Sequence, residues 1–323
     1  MVITKEKSYC IQMLRGLAII AVVFIHNTPG GAPQVFCRPF MNFSVGLFLF
    51  LSGMLSTAEK WKPWKRIKKV LIPYLIWTAI YVILYNYKTP ALIPKIFITD
   101  LIEGNAAATF YYIFVYIELT LLIPLIGKLA KSKFMYLGFV ISPIEIIIMR
   151  LIPQIIGYEM NEYIRIAMSI SCIGWFSYFY LGYLLGNGII KVNFSKVKLS
   201  VMLCIAFLLQ VAEGYWYYLL GNQNCGTQLK LTSVLTGCIV CIIAFRFIES
   251  EKFHENKLLY LLGDCSFGIY FSHIAIMYML SRIPKYGEFI IFPLNAIVTL
   301  FTSCVFVMIG KRVLGKYSKY LAL

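Results

Sequence analysis

Apolar runs of about twenty residues, each closed by a short polar stretch, repeat from one end of the chain to the other. A helix that crosses the hydrocarbon core of a bilayer needs about 20 mostly apolar residues. Ten segments meet that requirement: 11–29, 37–57, 70–88, 109–127, 134–152, 167–187, 199–220, 229–248, 257–281 and 289–310. The pattern predicts an all-α, polytopic integral membrane protein with about ten transmembrane helices, organised as a single membrane domain over 1–323. The connections between runs are too short to fold as a soluble module.

Composition sharpens the class. Of the 323 residues, 60% are hydrophobic and 14% charged, against about 25% charged in soluble domains, so the solvent around most of the surface is lipid. The formal net charge of +16 does not point to nucleic acid, because no basic segment carries interleaved aromatics on a soluble module. The cations follow topology instead. Of the 30 Lys and Arg residues, 21 fall in 1–10, 58–69, 128–133, 188–198, 246–257 and 311–323, which share one side if the segments alternate; eight fall on the other side, and Arg15 is inside the first segment. The richer side is the cytoplasmic one. Both termini are therefore expected in the cytoplasm of a multi-pass protein of the cell membrane. Arg15 within the first run, and the absence of a small-x-small site after it, argue against a cleaved signal.

The connections carry further signals. Pro29-Gly-Gly-Ala-Pro33 reads as a rigid turn. Residues 94–103 fit either a short helix at the membrane interface or a surface loop. Trp61 to Lys69 combines two tryptophans with five cations, which suits anionic headgroups of membrane lipids and equally suits phosphates. Cys37 and Cys225 are the cysteines near the outer face, where pairing is open. No Cys or His spacing of a metal site is present, so no metal is expected.

Ionisable residues inside spans are costly and mark function by default. Seven qualify: Arg15, His26, Glu118, Glu145, Glu213, Asp264 and His273. Arg15 and His26 are eleven residues apart, about three turns plus 20°, which places a cation and an imidazole on one helix face about 16 Å apart.

With these residues in view, the chain resembles the acyltransferase 3 family of membrane O-acyltransferases. Met13-Leu-Arg15 through His26 resembles its arginine-ten-residues-histidine signature, and Phe48-Leu-Phe-Leu-Ser52-Gly53 its Ser-Gly motif. Lys65-Arg66-Ile-Lys-Lys69 leading to Pro73-Tyr74 is similar to its basic stretch, Tyr111 to Glu118 to an aromatic segment, and Phe267-Gly-Ile-Tyr270-Phe-Ser-His273 to a late Gly-Ile-Tyr-x-x-His element. Members often have arginine where this chain has Lys69.

The resemblance implies transfer of an acyl group, most simply acetyl, from cytoplasmic acyl-CoA to a hydroxyl of an extracytoplasmic or lipid-linked carbohydrate. It assigns His26 as base or acyl acceptor, two routes that stay open here, with Arg15 along the same cavity and Glu118 orienting His26 or neutralising Arg15. Lys65, Arg66 and Lys69 are expected to hold the phosphates of acetyl-CoA or another acyl-CoA, and Ser52 to pack a helix contact or touch the thioester. Tyr111, Tyr270 and His273 are expected on the substrate side. A transporter of a small solute or glycan is the alternative, since carriers also bury Glu and His. The absence of an inverted repeat disfavours it, and the oligomeric state is left open.

Overall fold

The computed structural model describes residues 3–158, 160–222, 224–250 and 254–323; residues 251–253, within the inner stretch 246–257, fall outside that set. Among the described residues fifteen α-helices follow one another: α1 (Lys5–Asn27), α2 (Ala32–Cys37), α3 (Phe43–Met54), α4 (Pro63–Asn86), α5 (Ile93–Glu103), α6 (Tyr111–Ala130), α7 (Ile141–Ile146), α8 (Ile152–Ile156), α9 (Glu162–Ile170), α10 (Phe176–Gly186), α11 (Lys196–Leu219), α12 (Leu231–Ser250), α13 (Lys257–Ser281), α14 (Tyr286–Phe289) and α15 (Leu294–Leu314). Among the described residues there is no β-strand. The all-α class expected from the apolar runs is what the chain adopts.

Eight stretches are helical, long and apolar enough to span: Lys5–Asn27, Ala32–Met54, Pro63–Asn86, Tyr111–Ala130, Lys196–Leu219, Leu231–Ser250, Lys257–Ser281 and Leu294–Leu321. The remaining two predicted segments are broken. Segment 167–187 is a pair, α9 and Ile173–Gly186, bent by 40°. Segment 134–152 passes through a 3₁₀ turn (Met135–Phe139), α7, a π turn (Ile147–Leu151) and α8. Pro153 lies at the start of α8, where its missing N–H interrupts the ladder of the turn before it. Hydropathy counts apolar residues and is blind to such breaks.

The helices gather into two compact units interleaved in sequence. The first holds Met1–Trp61, Leu122–Glu159 and Ile173–Asp264; the second holds Lys62–Leu121, Met160–Cys172 and Cys265–Leu323.

In the first unit glycines set the closest approaches. A Cβ on Gly53 of α3 would meet the Phe179 carbonyl at 2.1 Å, one on Gly182 of α10 the Phe50 carbonyl at 2.1 Å, and one on Gly186 the Met54 carbonyl at 2.2 Å. Small residues let helix backbones touch where lipid offers no hydrophobic drive to association. Gly182 lies against Phe50 and Gly186 against Met54, so α3 and α10 run in the same direction. Likewise Gly16 packs on Leu259 and Gly263 of α13, and Tyr9 stacks on Tyr260 at 4.6 Å. Thus α1 and α13 start at one end, where Lys7 also pairs with Glu249 at 2.7 Å. α1 itself is capped by Thr4, whose hydroxyl accepts from the Lys7 amide, and it stops at Thr28, held extended because Pro29 follows.

The second unit has an aromatic core. Tyr74 meets Phe110 and Phe114 edge-on at 5.3 and 5.6 Å, Tyr81 meets Phe110 at 5.4 Å, and Trp77 stacks on Phe271 at 6.3 Å. Trp77 donates from Nε1 to the Leu321 carbonyl at 3.0 Å. Residues 93–103 form the helix α5, the first of the two readings of that stretch, and end at Gly104 with φ of +70°. The Tyr74 hydroxyl anchors this helix by donating to the Leu101 carbonyl at 2.8 Å.

Since backbone oxygens block a side chain at position 182, Gly182→Leu is expected to force α3 and α10 apart and cost at least about 1–3 kcal/mol. Melting in detergent should move down by several degrees, with Gly287→Ala, which meets nothing within 4 Å, as the unshifted control. An unshifted melt in Gly182→Leu would contradict the close α3–α10 contact.

Candidate functional site

α1 carries the two residues that the sequence singled out first. Arg15 and His26 are both half-buried, and the Arg15 guanidinium donates to Gln12 Oε1 one turn earlier at 3.0 Å. The crossing at Gly16 and Gly263 explains why this stretch of α1 is held: the residue beside Arg15 touches the residue beside Asp264. Near the other end, Asn27 and Thr28 donate back to the Val23 and Phe24 carbonyls, both at 2.8 Å. These bonds keep the last turn closed around His26. Arg38, at the turn after α2, reaches the Ile25 carbonyl with Nη2 at 3.4 Å. The residue that precedes His26 is therefore fixed from outside its own helix.

Ser52 also belongs to the first unit. It is half-buried, its carbonyl accepts from the Ser56 hydroxyl at 2.7 Å, and it adjoins Gly53 at the α3–α10 contact. The Ser-Gly pair is thus accounted for by helix packing.

The other predicted residues belong to the second unit. Lys65 and Lys69 are exposed and Arg66 half-buried in the first two turns of α4, while Ile67 and Val70 of the same turns are buried. One flank of a helix start is therefore cationic and the other apolar. Helix N-termini favour anions on their own, and Pro73 leaves the Lys69 carbonyl without its usual amide donor. Tyr270 is brought against the start of α6, where Tyr111 also lies: the Tyr270 hydroxyl donates to the Thr109 carbonyl, and its ring lies 5.5 Å from that of Tyr112. His273 is fully buried, with Nδ1 2.8 Å from the Ile269 carbonyl. Around it α13 is opened. The Tyr81 hydroxyl donates to the Phe271 carbonyl at 2.7 Å and accepts from the Ala275 amide at 3.0 Å, so it stands in the rung where those two groups would pair. Insertion of a polar atom into the ladder bends a helix.

Glu118 has a backbone partner. Its Oε2 accepts from the Cys172 amide at 2.7 Å, in the break between α9 and α10, and no cation pairs with it among the described residues. The carboxylate holds a bent span together. Cys37 and Cys225 are free thiols, and Cys225 points at the Gly31 carbonyl, 3.4 Å away.

A polar cluster of which the sequence singled out only Glu145 and Glu213 lies in the first unit, at the end of α1 that carries His26. Lys230 has no exposed surface and donates to the Cys225 carbonyl at 2.9 Å and the Gln210 carbonyl at 3.5 Å. Glu213, two turns before the end of α11, accepts from the Thr232 amide at 3.0 Å and from its hydroxyl. Gln210 and Asn42 both donate to Ser233 Oγ, at 2.9 and 3.5 Å. Glu145 and Arg150 pair at 3.4 Å across the π turn, and Gly174 makes room for the Glu145 carboxylate. In sequence Arg38, Arg150 and Lys230 read as solvated outer charges, because each adjoins a loop. In the fold Lys230 is fully buried while Arg38 and Arg150 are half-buried, and Gly226 lies against Gln34 and Arg38.

The acyltransferase 3 family model, described as an acyltransferase domain, matches residues 8–310. No curated protein and no solved structure matches the chain significantly.

The Glu118 contact gives a direct check. Glu118→Ala should leave the Cys172 amide without its acceptor and cost about 1–3 kcal/mol. Glu118→Gln keeps a carbonyl oxygen in the same place and should melt near wild type. If both variants melt alike, the carboxylate is not what holds the break between α9 and α10.

Proposed function

This chain belongs to the acyltransferase 3 family and is a multi-pass membrane acyltransferase, and we propose that it moves an acyl group, most simply acetyl, from cytoplasmic acyl-CoA to a hydroxyl of a carbohydrate or lipid-linked carbohydrate outside the cytoplasm. The observation that carries the reading is the Arg15 and His26 pair along one face of α1, inside a chain that the family model covers almost end to end.

The chemistry follows from the groups. A neutral imidazole has a pKa suited to taking a proton at physiological pH. His26 accepts the proton of the acceptor hydroxyl as its oxygen attacks the thioester carbonyl carbon. The carbon–sulfur bond then breaks, the coenzyme thiolate leaves with the electron pair, and the imidazolium returns the proton to it. The products are an ester and free coenzyme thiol, and His26 ends neutral. Arg15, three turns toward the inner end, is suited to a polar group of the donor. Lys65, Arg66 and Lys69 form a cationic flank that fits its phosphates, each charge-assisted contact being worth about 1.5–3 kcal/mol. Lys69 makes a point contact where an arginine would bind bidentately. Glu118 serves as a positioning residue through the Cys172 break, and Tyr111, Tyr270 and His273 line the substrate side of the second unit.

The decisive experiment is incubation of the purified protein in detergent with labelled acetyl-CoA, with and without candidate glycans, following release of the coenzyme thiol. His26→Ala should lower turnover by about 10²–10⁴-fold without changing the melt; near-normal turnover would remove His26 from the chemistry. The triple change Lys65→Gln, Arg66→Gln and Lys69→Gln should weaken coenzyme binding by about tenfold or more, while added salt weakens binding by wild type and leaves the variant nearly unaffected. Binding indifferent to both the substitutions and salt would remove the phosphate site from α4.

A further inference from the structure

Buried polar groups are nearly always hydrogen-bonded, so those that are not ask for a physical account. Among the described residues, six buried side-chain polar atoms without a hydrogen-bond partner belong to one cluster: Arg38 Nε, Asn42 Oδ1, Glu145 Oε2, Arg150 Nε, Gln210 Oε1 and the Tyr217 hydroxyl. All six residues lie in the first unit. Asn42, Glu145, Gln210 and Tyr217 are 1, 5, 0 and 3% exposed. They are linked in space as well. Asn42 and Gln210 share Ser233, Lys230 bonds the Gln210 carbonyl, and Gly226, whose carbonyl accepts from Asn42, lies against Arg38. Val35, Tyr217 and Cys225 form one small core against which Leu151, next to Arg150, packs.

The chemistry of these atoms selects a ligand. The amide orientations are fixed: Asn42 Nδ2 faces the Gly226 and Thr227 carbonyls, which only accept. Ser233 Oγ donates to the Thr227 carbonyl and so accepts from Gln210 Nε2. The open atoms are therefore three acceptors, on Asn42, Glu145 and Gln210, and three donors, on Arg38, Arg150 and Tyr217. An anion needs donors alone and would meet three lone-pair oxygens here. A hydroxyl both donates and accepts, so a molecule with several adjacent hydroxyls satisfies such a mixed set. Tyr215, Trp216 and Tyr218 expose their rings at the same end of α11, which suits the apolar faces of a sugar ring.

We propose that this cluster is a binding site for a polyhydroxyl ring, the sugar that presents the acceptor hydroxyl, with Gln210, Asn42, Glu145, Arg38, Arg150 and Tyr217 as its hydrogen-bonding groups. The assignment rests on the reading of the chain as a carbohydrate O-acyltransferase and names where its acceptor is held. Arg38 couples the site to the catalytic helix, because it spans from the cluster to the carbonyl beside His26.

The test is saturation-transfer NMR on the full chain in detergent with glucose, galactose, N-acetylglucosamine and their disaccharides. Transfer to the ring protons of at least one sugar is expected, weakened about tenfold by Gln210→Leu or Tyr217→Phe, one lost hydrogen bond each. It should survive in His26→Ala. Tyr217→Phe deletes an oxygen that has no partner among the described residues, so it keeps the test sound if Gln210→Leu fails to fold. No transfer to any sugar, the outcome if water alone fills the cluster, overturns the site, as does transfer indifferent to both substitutions. Sugar binding without thioester consumption would leave the site standing and remove the acyl-transfer reading. Thioester consumption with an acceptor KM that ignores both substitutions would do the reverse.

Discussion

Lipid offers no partner to a peptide N–H or carbonyl, so every backbone polar group within the bilayer has to be satisfied inside the chain. The long helices of this protein are the direct answer to that constraint. What distinguishes the fold is how it treats the places where the ladder fails. At the α9–α10 break a carboxylate, Glu118, takes over the Cys172 amide. In α13 a tyrosine hydroxyl enters the rung between Phe271 and Ala275 and satisfies both ends. Each repair brings a polar side chain to membrane depth. That is also where a transferase working on polar substrates requires polar groups.

The same constraint explains the packing. Between helices in lipid, van der Waals contact must replace the hydrophobic drive to association. Gly53, Gly182 and Gly186 bring α3 and α10 backbone to backbone, and Gly16 and Gly263 do so for α1 and α13. The second contact lies beside Arg15. A rigid crossing next to a half-buried guanidinium limits how far α1 can slide or rotate, and His26 on the same face inherits that restraint. Gly53 gives the Ser-Gly motif a physical basis that does not involve Ser52 as a nucleophile.

Much of this was legible in the chain. Apolar length alone located eight of the ten segments as helical spans, and the 11-residue spacing placed Arg15 and His26 on one face without reference to any fold. The broken segments were not legible, because hydropathy is indifferent to a π turn at Ile147–Leu151 or to a bend after Ile170. Nor was the buried cluster. Arg38, Arg150 and Lys230 flank loops, and a charge near a loop is by default solvated. Burial of Lys230 depends on residues 224–230 folding over α2 and α11, a tertiary event with no local signature. One signal was present: Glu213, inside a span, had no partner in its own helix, and an intramembrane carboxylate implies a cation somewhere.

Why a charged cluster is tolerated there follows from its balance. Three cations, Arg38, Arg150 and Lys230, stand with two carboxylates, Glu145 and Glu213, so no large uncompensated charge is buried. Removing one member of such a set costs more than the set contributes as a whole. Apolar replacement of the entire cluster would therefore be the simpler route to stability alone. Retaining five charges and several amides at the end of α1, with half a dozen hydrogen-bonding atoms left open, makes little sense as scaffolding. It makes sense if the open atoms find their partners on a substrate. The energy left unused in the empty protein is then available to orient an acceptor hydroxyl toward His26, and holding reactants in register is among the largest contributions that a protein makes to catalysis.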